Sequence, residues 1–158
     1  MQLIGYCDAA WGNLDSGKTR GCIFLALSTT IPQGRNEQFC PANWHARRLQ
    51  RVVRSTFAGK TLLASEALDE VIYTAEIWSE LGNGTVRTTL RADSGSLYEH
   101  LHLKGLCKEK RLTVELNALK EALDNGQLVR LEWVETEKQL ANGLTKHMTA
   151  LLMLRTLD

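Results

Sequence analysis

Two aspartates in this chain each come directly after a short apolar run that is typical of a β-strand. Asp8 follows the run LIGYC, and Asp93 follows the run VRTTLRA. A carboxylate at the end of a strand is well placed to hold a metal ion at the rim of a sheet, because hard divalent cations prefer oxygen ligands. The pair therefore predicts metal-dependent chemistry if the two strands are neighbours.

The elements that must position these aspartates follow the order βββαβααβα. The predicted strands are residues 2–9, 19–28, 38–49, 86–92 and 127–134. Short turns join the first three strands, which predicts an antiparallel meander. Strands four and five are each reached across helices, so they are predicted to run parallel to the first strand. The sequence thus predicts an α/β fold with a five-stranded mixed sheet flanked by helices.

Four helices are predicted from the spacing of apolar residues. The longest begins at Phe57, with Ser55 or Thr56 as its cap, and is stopped by Gly82. The others are a short helix over residues 94–103, a helix with a stripe of leucines at 112, 116, 119 and 123, and a last helix over residues 141–154. The whole chain, residues 1–158, is predicted to be a single domain, because 158 residues with 44% apolar content suit one core.

Composition limits the classes of partner. The net charge is +1, so the chain has no global basic field, and any nucleic-acid binding must use a local patch. No apolar run approaches the length of a membrane span, so no membrane partner is expected. The cysteines contain no Cys-x-x-Cys pair and are predicted to be core residues in a reducing, intracellular compartment. The first residues are typical of a domain boundary, so the chain is expected to be a piece of a longer polyprotein.

Five segments carry a more specific signal. They are, in order, GYCDAAW, TRGCIFLAL, NWHARRLQRVVRSTFAGKTLLASEAL, LRADSGSLYEHLH and ETEKQLANGLTKHM. Together they span nearly the whole chain and resemble the ribonuclease H domain of copia-type LTR retrotransposon polyproteins. The resemblance implies a ribonuclease H-like fold and an enzyme that cuts the RNA strand of an RNA/DNA hybrid. It also implies two Mg²⁺ ions held by four carboxylates, one activating the attacking water and the other stabilising the leaving 3′ oxygen.

Residue by residue, the resemblance assigns only two of those four carboxylates. Asp8 and Asp93 match two metal ligands, and Asp8 is implied to bridge both ions. Lys60 stands where the pattern R-S-T-x-A-A-E has its Glu, and Asn142 stands where L-A-D-x-L-T-K has its Asp. Asn142 keeps an oxygen ligand, whereas a protonated Lys60 repels the metals and cannot coordinate them. Catalysis is therefore predicted to be lost or weakened, with a salt bridge from Lys60 neutralising the pocket without Mg²⁺.

Two further carboxylates were candidates to replace the missing ligands. Glu66 lies about 180° around the long helix from Phe57, so it is predicted to point away from the site of Lys60. Glu115 is predicted to lie on a solvated helix flank, as charged side chains usually do.

Two runs of basic residues predict local contacts with phosphates. One run enters the long helix, and the other lies between two later helices. The candidate nucleic-acid residues are Arg47, Arg48, Arg51, Arg54, Lys108, Lys110 and Arg111. Ordinary solvated surface is the alternative interpretation of both runs.

Three functions remain open from the sequence. The first is a retrotransposon-derived domain that binds RNA/DNA hybrid or structured RNA with little or no catalysis. The second is an active Mg²⁺-dependent ribonuclease H with an unorthodox ligand set. The third is a non-catalytic structural subunit of a larger ribonucleoprotein or protein assembly. The expected partners are accordingly hybrid or RNA, together with a parent reverse transcriptase or such an assembly.

Overall fold

The structure, a computed structural model, describes residues 1–12, 14, 17–29, 39–102 and 109–145. The strands are β1 (Gln2–Ala10), β2 (Arg20–Ser28), β3 (Phe39–Arg48), β4 (Arg87–Ala92) and β5 (Arg130–Trp133). The helices are α1 (Thr56–Trp78), α2 (Gly95–His102), α3 (Thr113–Asp124) and α4 (Asn142–Thr145). Single helical turns at Lys110–Leu112 and Thr136–Lys138 precede α3 and α4. The part of the predicted last helix beyond Thr145 lies outside the described residues.

The five strands form one mixed sheet in the order β3-β2-β1-β4-β5. The pairs β1–β2 and β2–β3 are antiparallel, whereas β1–β4 and β4–β5 are parallel. This arrangement confirms the predicted fold class. Because β1 and β4 are parallel neighbours, their carboxyl ends meet at one rim of the sheet, which is where Asp8 and Asp93 lie.

Helix α1 packs closely against one face of the sheet. Its first turn is capped by Ser55, whose hydroxyl oxygen accepts a hydrogen bond from the Ala58 N–H at 3.0 Å. Glycine in β1 allows the close approach, because a Cβ at Gly5 would lie 2.6 Å from Val71 Cγ2. The apolar face of α1 thereby closes the main core with α3, and this packing fixes where the first turns of α1 meet the sheet rim.

The opposite face of the sheet holds a smaller core. Tyr6 and Phe24 pack there with Leu140 and Ala141, which directly precede α4. Arg91 lies on the same face, donates to the Tyr6 hydroxyl oxygen at 2.6 Å and is paired with Glu132 on β5. These contacts tie the segment before α4 to the strands, and they bring α4 to the rim that carries the two aspartates.

The prediction that the cysteines are core residues is confirmed for Cys7 and Cys22 and is wrong for Cys40, which is exposed on β3, whereas Cys107 lies outside the described residues. Cys7 and Cys22 are free thiols in the core, and burial raises the pKa of the Cys22 thiol to about 12. Such thiols stay protonated and serve as small apolar groups. Among the described helices, none combines the length and the apolar content that a bilayer span requires.

Candidate functional site

Asp8 and Asp93 converge at the rim of the sheet around one ammonium group. Their neighbours Cys7 and Ala92 are directly paired between β1 and β4, so Asp8, which lies within β1, is beside Asp93, which follows the end of β4. The Lys60 Nζ pairs with Asp93 Oδ1 and lies 3.5 Å from Asp8 Oδ1. The structure therefore brings together three of the four predicted site residues, and it confirms the salt bridge that was predicted from Lys60.

Lys60 reaches this position because of where α1 begins. Ser55 caps the helix, and Lys60 follows in the second turn, on the side that faces the strand ends. The three charged side chains are largely withdrawn from solvent, with exposed fractions of 16% for Lys60, 7% for Asp8 and 5% for Asp93. One buried cation thus stands between two buried anions.

The electrostatics at Asp8 reflect a balance between burial and pairing. Burial raises the pKa of the Asp8 carboxyl, and the nearby Asp93 charge raises it further. The Lys60 ammonium and a hydrogen bond from Thr145 act in the opposite direction but do not cancel the rise. The pocket accordingly tolerates its second negative charge only because the lysine is present.

Three side chains that the sequence did not single out complete the pocket. Thr145 Oγ1 donates to Asp8 Oδ2 and Thr136 Oγ1 donates to Asp93 Oδ2, each at 3.3 Å. Gln139 is buried and donates to the main-chain oxygen of Cys7 at 3.0 Å, which fastens the segment before α4 to the end of β1. Gln139 and Thr145 both lie in the segment ETEKQLANGLTKHM. This segment was the signal in the sequence that could have identified them.

Asn142, the fourth predicted site residue, lies beside the pocket rather than in it. Its Nδ2 donates to the main-chain oxygen of Thr136 at 3.4 Å, and its main-chain oxygen accepts from Thr145 Oγ1 at 2.8 Å. Both of these neighbours contact an aspartate. Asn142 is therefore linked to each aspartate through one intervening threonine.

The donor set does not fit a pair of divalent cations. A two-metal site needs several anionic oxygen ligands, and here the two carboxylates that converge are already paired with Lys60. Across the described ranges, no group of three or more His, Cys, Asp or Glu side chains is arranged to hold a metal ion. The ammonium group takes the place at which a cation would sit, so the geometry supports charge neutralisation rather than metal binding.

Two arginines of the first basic run form ion pairs within the fold. Arg47 Nη2 lies 2.9 Å from Glu66 Oε2, and Arg51 is paired with Glu115. The prediction that Glu115 lies on a solvated flank is wrong, because the residue is only 7% exposed and its carboxylate is paired with Arg51. Glu66 does point away from Lys60, as predicted, and its carboxylate meets β3 instead.

The remaining basic candidates lie on neighbouring surface segments. Arg48 and Arg54 are exposed, as are Lys110 and Arg111, whereas Lys108 lies outside the described residues. A hydrogen bond of 3.1 Å from Ser55 Oγ to Glu109 Oε1 joins the segment of Arg54 to the segment of Lys110 and Arg111. The fold thus brings the two predicted basic runs together at the start of α1.

Similarity to known proteins lies in the structure rather than in the sequence. No family model matches the chain, and no curated protein does. LC11-RNase H1, isolated from compost, is similar in structure with a TM-score of 0.62 and 12% identity over 99% of both chains. LC11-RNase H1 in complex with an RNA/DNA hybrid has a TM-score of 0.58 and 14% identity over 87% of this chain and 88% of that one. The prototype foamy virus RNase H domain has a TM-score of 0.56 and 10% identity over 99% of this chain and 95% of that one. The chain has the ribonuclease H-like fold.

Proposed function

We propose that this chain is a retrotransposon-derived ribonuclease H-like domain that binds RNA/DNA hybrid or structured RNA and has little or no hydrolytic activity. The observation that carries the proposal is the position of Lys60, whose ammonium group pairs with both Asp8 and Asp93. A cation fixed there supplies the charge that a metal would otherwise bring. Lys60 offsets one of the two negative charges of the pocket, and the chemistry that needs Mg²⁺ loses its ligand set.

Support for nucleic-acid binding comes from the shared surface of the two basic runs. Arg54, Lys110 and Arg111 are exposed on segments joined by the Ser55–Glu109 bond, and Lys60 lies about 7 Å along the α1 axis from Ser55. A strand of nucleic acid lying across the rim would meet this surface. The fold neighbour LC11-RNase H1 is known in complex with an RNA/DNA hybrid, which makes a hybrid the first ligand to test.

The retrotransposon origin rests on the five sequence segments and on the fold shared with a foamy virus RNase H domain. On this proposal the domain acts beside a parent reverse transcriptase or within a larger assembly. An active Mg²⁺-dependent ribonuclease H is the first competing function, and the salt bridge of Lys60 argues against it. A purely structural subunit is the second, and it predicts no measurable affinity for hybrid.

Binding can be tested with a fluorescently labelled RNA/DNA hybrid and the whole chain, titrated at several salt concentrations in the absence of Mg²⁺. We expect weak affinity that falls steeply with salt, because only a few local cations contact phosphates. Replacement of Arg54 and Arg111 by Ala should weaken binding further and flatten the salt dependence.

The matched control is Arg87→Ala, which removes the same charge from an exposed position at the start of β4. This position is at the end of the sheet away from Asp93, since Arg87 is paired with Gln2 at the beginning of β1. The control should leave hybrid affinity unchanged. An equal loss in the control, or tight binding that is indifferent to salt, would contradict the assignment of this surface.

A further inference from the structure

An open groove of about 850 Å³ runs beside β5, and its lining includes none of Asp8, Lys60 and Asp93. One side is formed by five consecutive residues, 129–133, and the other by Gly95, Tyr98, Glu99 and His102 on a single face of α2. Leu123 of α3 lies at the base. The volume is in the range of sites that bind ligands in other proteins, roughly 300–1,000 Å³.

The lining shows that the groove follows the edge of the sheet and not one of its faces. Side chains alternate along a strand, so a face can contribute only every second residue, whereas five consecutive residues here line the groove. Strand β5 ends the sheet and pairs only with β4 within the described part of the chain. The Val134 N–H bonds inward to the Ala92 main-chain oxygen at 3.0 Å, and Ala92 is paired with Trp133, so the main-chain groups of Glu132 face β4 and those of Leu131 and Trp133 point outward into the groove.

The groove also carries large exposed side chains that are held in place. Trp133 is 50% exposed, Val129 47% and Tyr98 38%. The Trp133 indole lies over Gly95, where its Nε1 would be 4.0 Å from an added Cβ, and the Tyr98 ring stacks on His102 with a 4.1 Å separation of ring centroids. Aromatic rings fixed beside an open strand edge are preformed pockets for the alternate side chains of an added strand.

Charge favours one class of occupant. Glu132 is already paired with Arg91 at 2.9 Å, but Glu99 takes part in no ion pair among the residues that the structure describes. Arg130 also lines the groove and lies 3.8 Å from the other carboxylate oxygen of Glu132, so the charged side chains of the described lining are two glutamates and one arginine, and the excess charge is negative. A polyanionic nucleic-acid strand is disfavoured there, whereas a segment with a lysine or arginine would be attracted.

We propose that this groove binds an extended, basic segment of a partner protein, which adds to the sheet as a sixth strand beside β5. Main-chain groups of the segment bond to Leu131 and Trp133, alternate apolar side chains pack on Val129 and Trp133, and a basic side chain pairs with Glu99. The site is separate from the basic surface at the start of α1. The proposal does not depend on nucleic-acid binding.

The test is selection from a displayed library of random heptapeptides on the whole chain, run in parallel on three variants. The variants are Trp133→Ser, Glu99→Lys and the control Trp44→Ser, which alters a residue 59% exposed on β3 at the opposite edge of the sheet. We expect peptides with alternating apolar residues and at least one Lys or Arg on the unaltered chain and on the control. Selection on Glu99→Lys should replace the basic residue by Asp or Glu, and Trp133→Ser should lower the affinity of the selected peptides about tenfold or more.

Amide exchange then locates the bound peptide, which should protect the N–H groups of Leu131 and Trp133. The proposal is overturned by no enrichment, by peptides without alternation, or by peptides that bind Trp133→Ser equally well. It is also overturned if an oligonucleotide protects the same two amides, or if sedimentation shows that a second copy of the chain occupies the edge.

Discussion

Replacing Lys60 by Met should destabilise the protein more than any surface change, because it leaves two buried carboxylates without their cationic partner. Met keeps most of the apolar stem and removes only the charge. An ion pair at the 3.5 Å separation of Lys60 Nζ and Asp8 Oδ1 is worth roughly 5 kcal/mol at an effective dielectric constant of about 20. Part of this is offset because the ammonium group no longer has to be desolvated, so we predict a loss of about 3–5 kcal/mol in the free energy of unfolding at pH 7.

The loss should depend on pH in a definite direction. The pKa of Asp8 is raised above its ordinary value of 3.8 by burial and by Asp93, and removal of Lys60 raises it further. An acid whose pKa is higher in the folded chain than in the unfolded chain disfavours folding above that pKa, and this penalty fades as the pH falls towards 3.8. The difference between Lys60→Met and the unaltered chain should therefore be largest at neutral pH and shrink as the solution is acidified.

Thermal and urea unfolding followed by circular dichroism from pH 4 to pH 8 measure this difference. We expect the melting temperature to fall by roughly 10 °C at pH 7, since about 2–4 °C accompany each kcal/mol in a domain of this size. Lys18→Met, at an exposed position, is the control and should shift it little. Adding Asp93→Asn to Lys60→Met should recover part of the loss. An equal loss at all pH values, or no loss at all, would refute the claim that Lys60 neutralises the aspartates.

Three further results are expected elsewhere in the chain. Arg51→Ala should cost about 2–4 kcal/mol in unfolding free energy, because Glu115 is then buried without a partner. A double variant with Arg51→Ala and Glu115→Gln should be more stable than Arg51→Ala alone, and equal stability of the two would contradict this. Ser55→Ala should cost about 1 kcal/mol by removing the α1 cap, and Ser55→Asp, which can cap, should not. In hybrid binding measured by anisotropy, Arg54→Ala and Arg111→Ala should each reduce the slope of log affinity against log salt by about one unit, and a slope unchanged in both would contradict their contact with phosphates.

The sequence was sufficient for the fold because strand ends and turns are local signals. The runs before Asp8 and Asp93, the turns between the first strands and the cap at Ser55 each depend on a few adjacent residues, and together they determined the strand order. The resemblance to ribonuclease H domains placed Lys60 at the rim. The salt bridge then followed from charge alone, since a lysine between two aspartates can pair with both.

The parts that the sequence did not predict depend on distant partners. Glu115 is buried and paired with Arg51, 64 residues earlier, and no local pattern encodes that pairing. Thr145 meets Asp8 across 137 residues, and Gln139 meets Cys7 across 132. The same limit applies to the basic run, because no local pattern predicts the pairing of Arg51 with Glu115. Helical patterns identify apolar faces, but they do not reveal which charged side chain a loop will cover.

The most direct test of the central claim is cleavage of a labelled RNA/DNA hybrid in Mg²⁺ by the unaltered chain and by a Lys60→Glu, Asn142→Asp double variant. We predict no cleavage by the unaltered chain, little by Asn142→Asp alone, and measurable cleavage by the double variant that is abolished when Asp8→Asn is added. The physical reason is that the double variant restores the two missing anionic ligands and removes the ammonium group between the aspartates. Robust Mg²⁺-dependent cleavage by the unaltered chain, abolished by Asp8→Asn, would contradict the account.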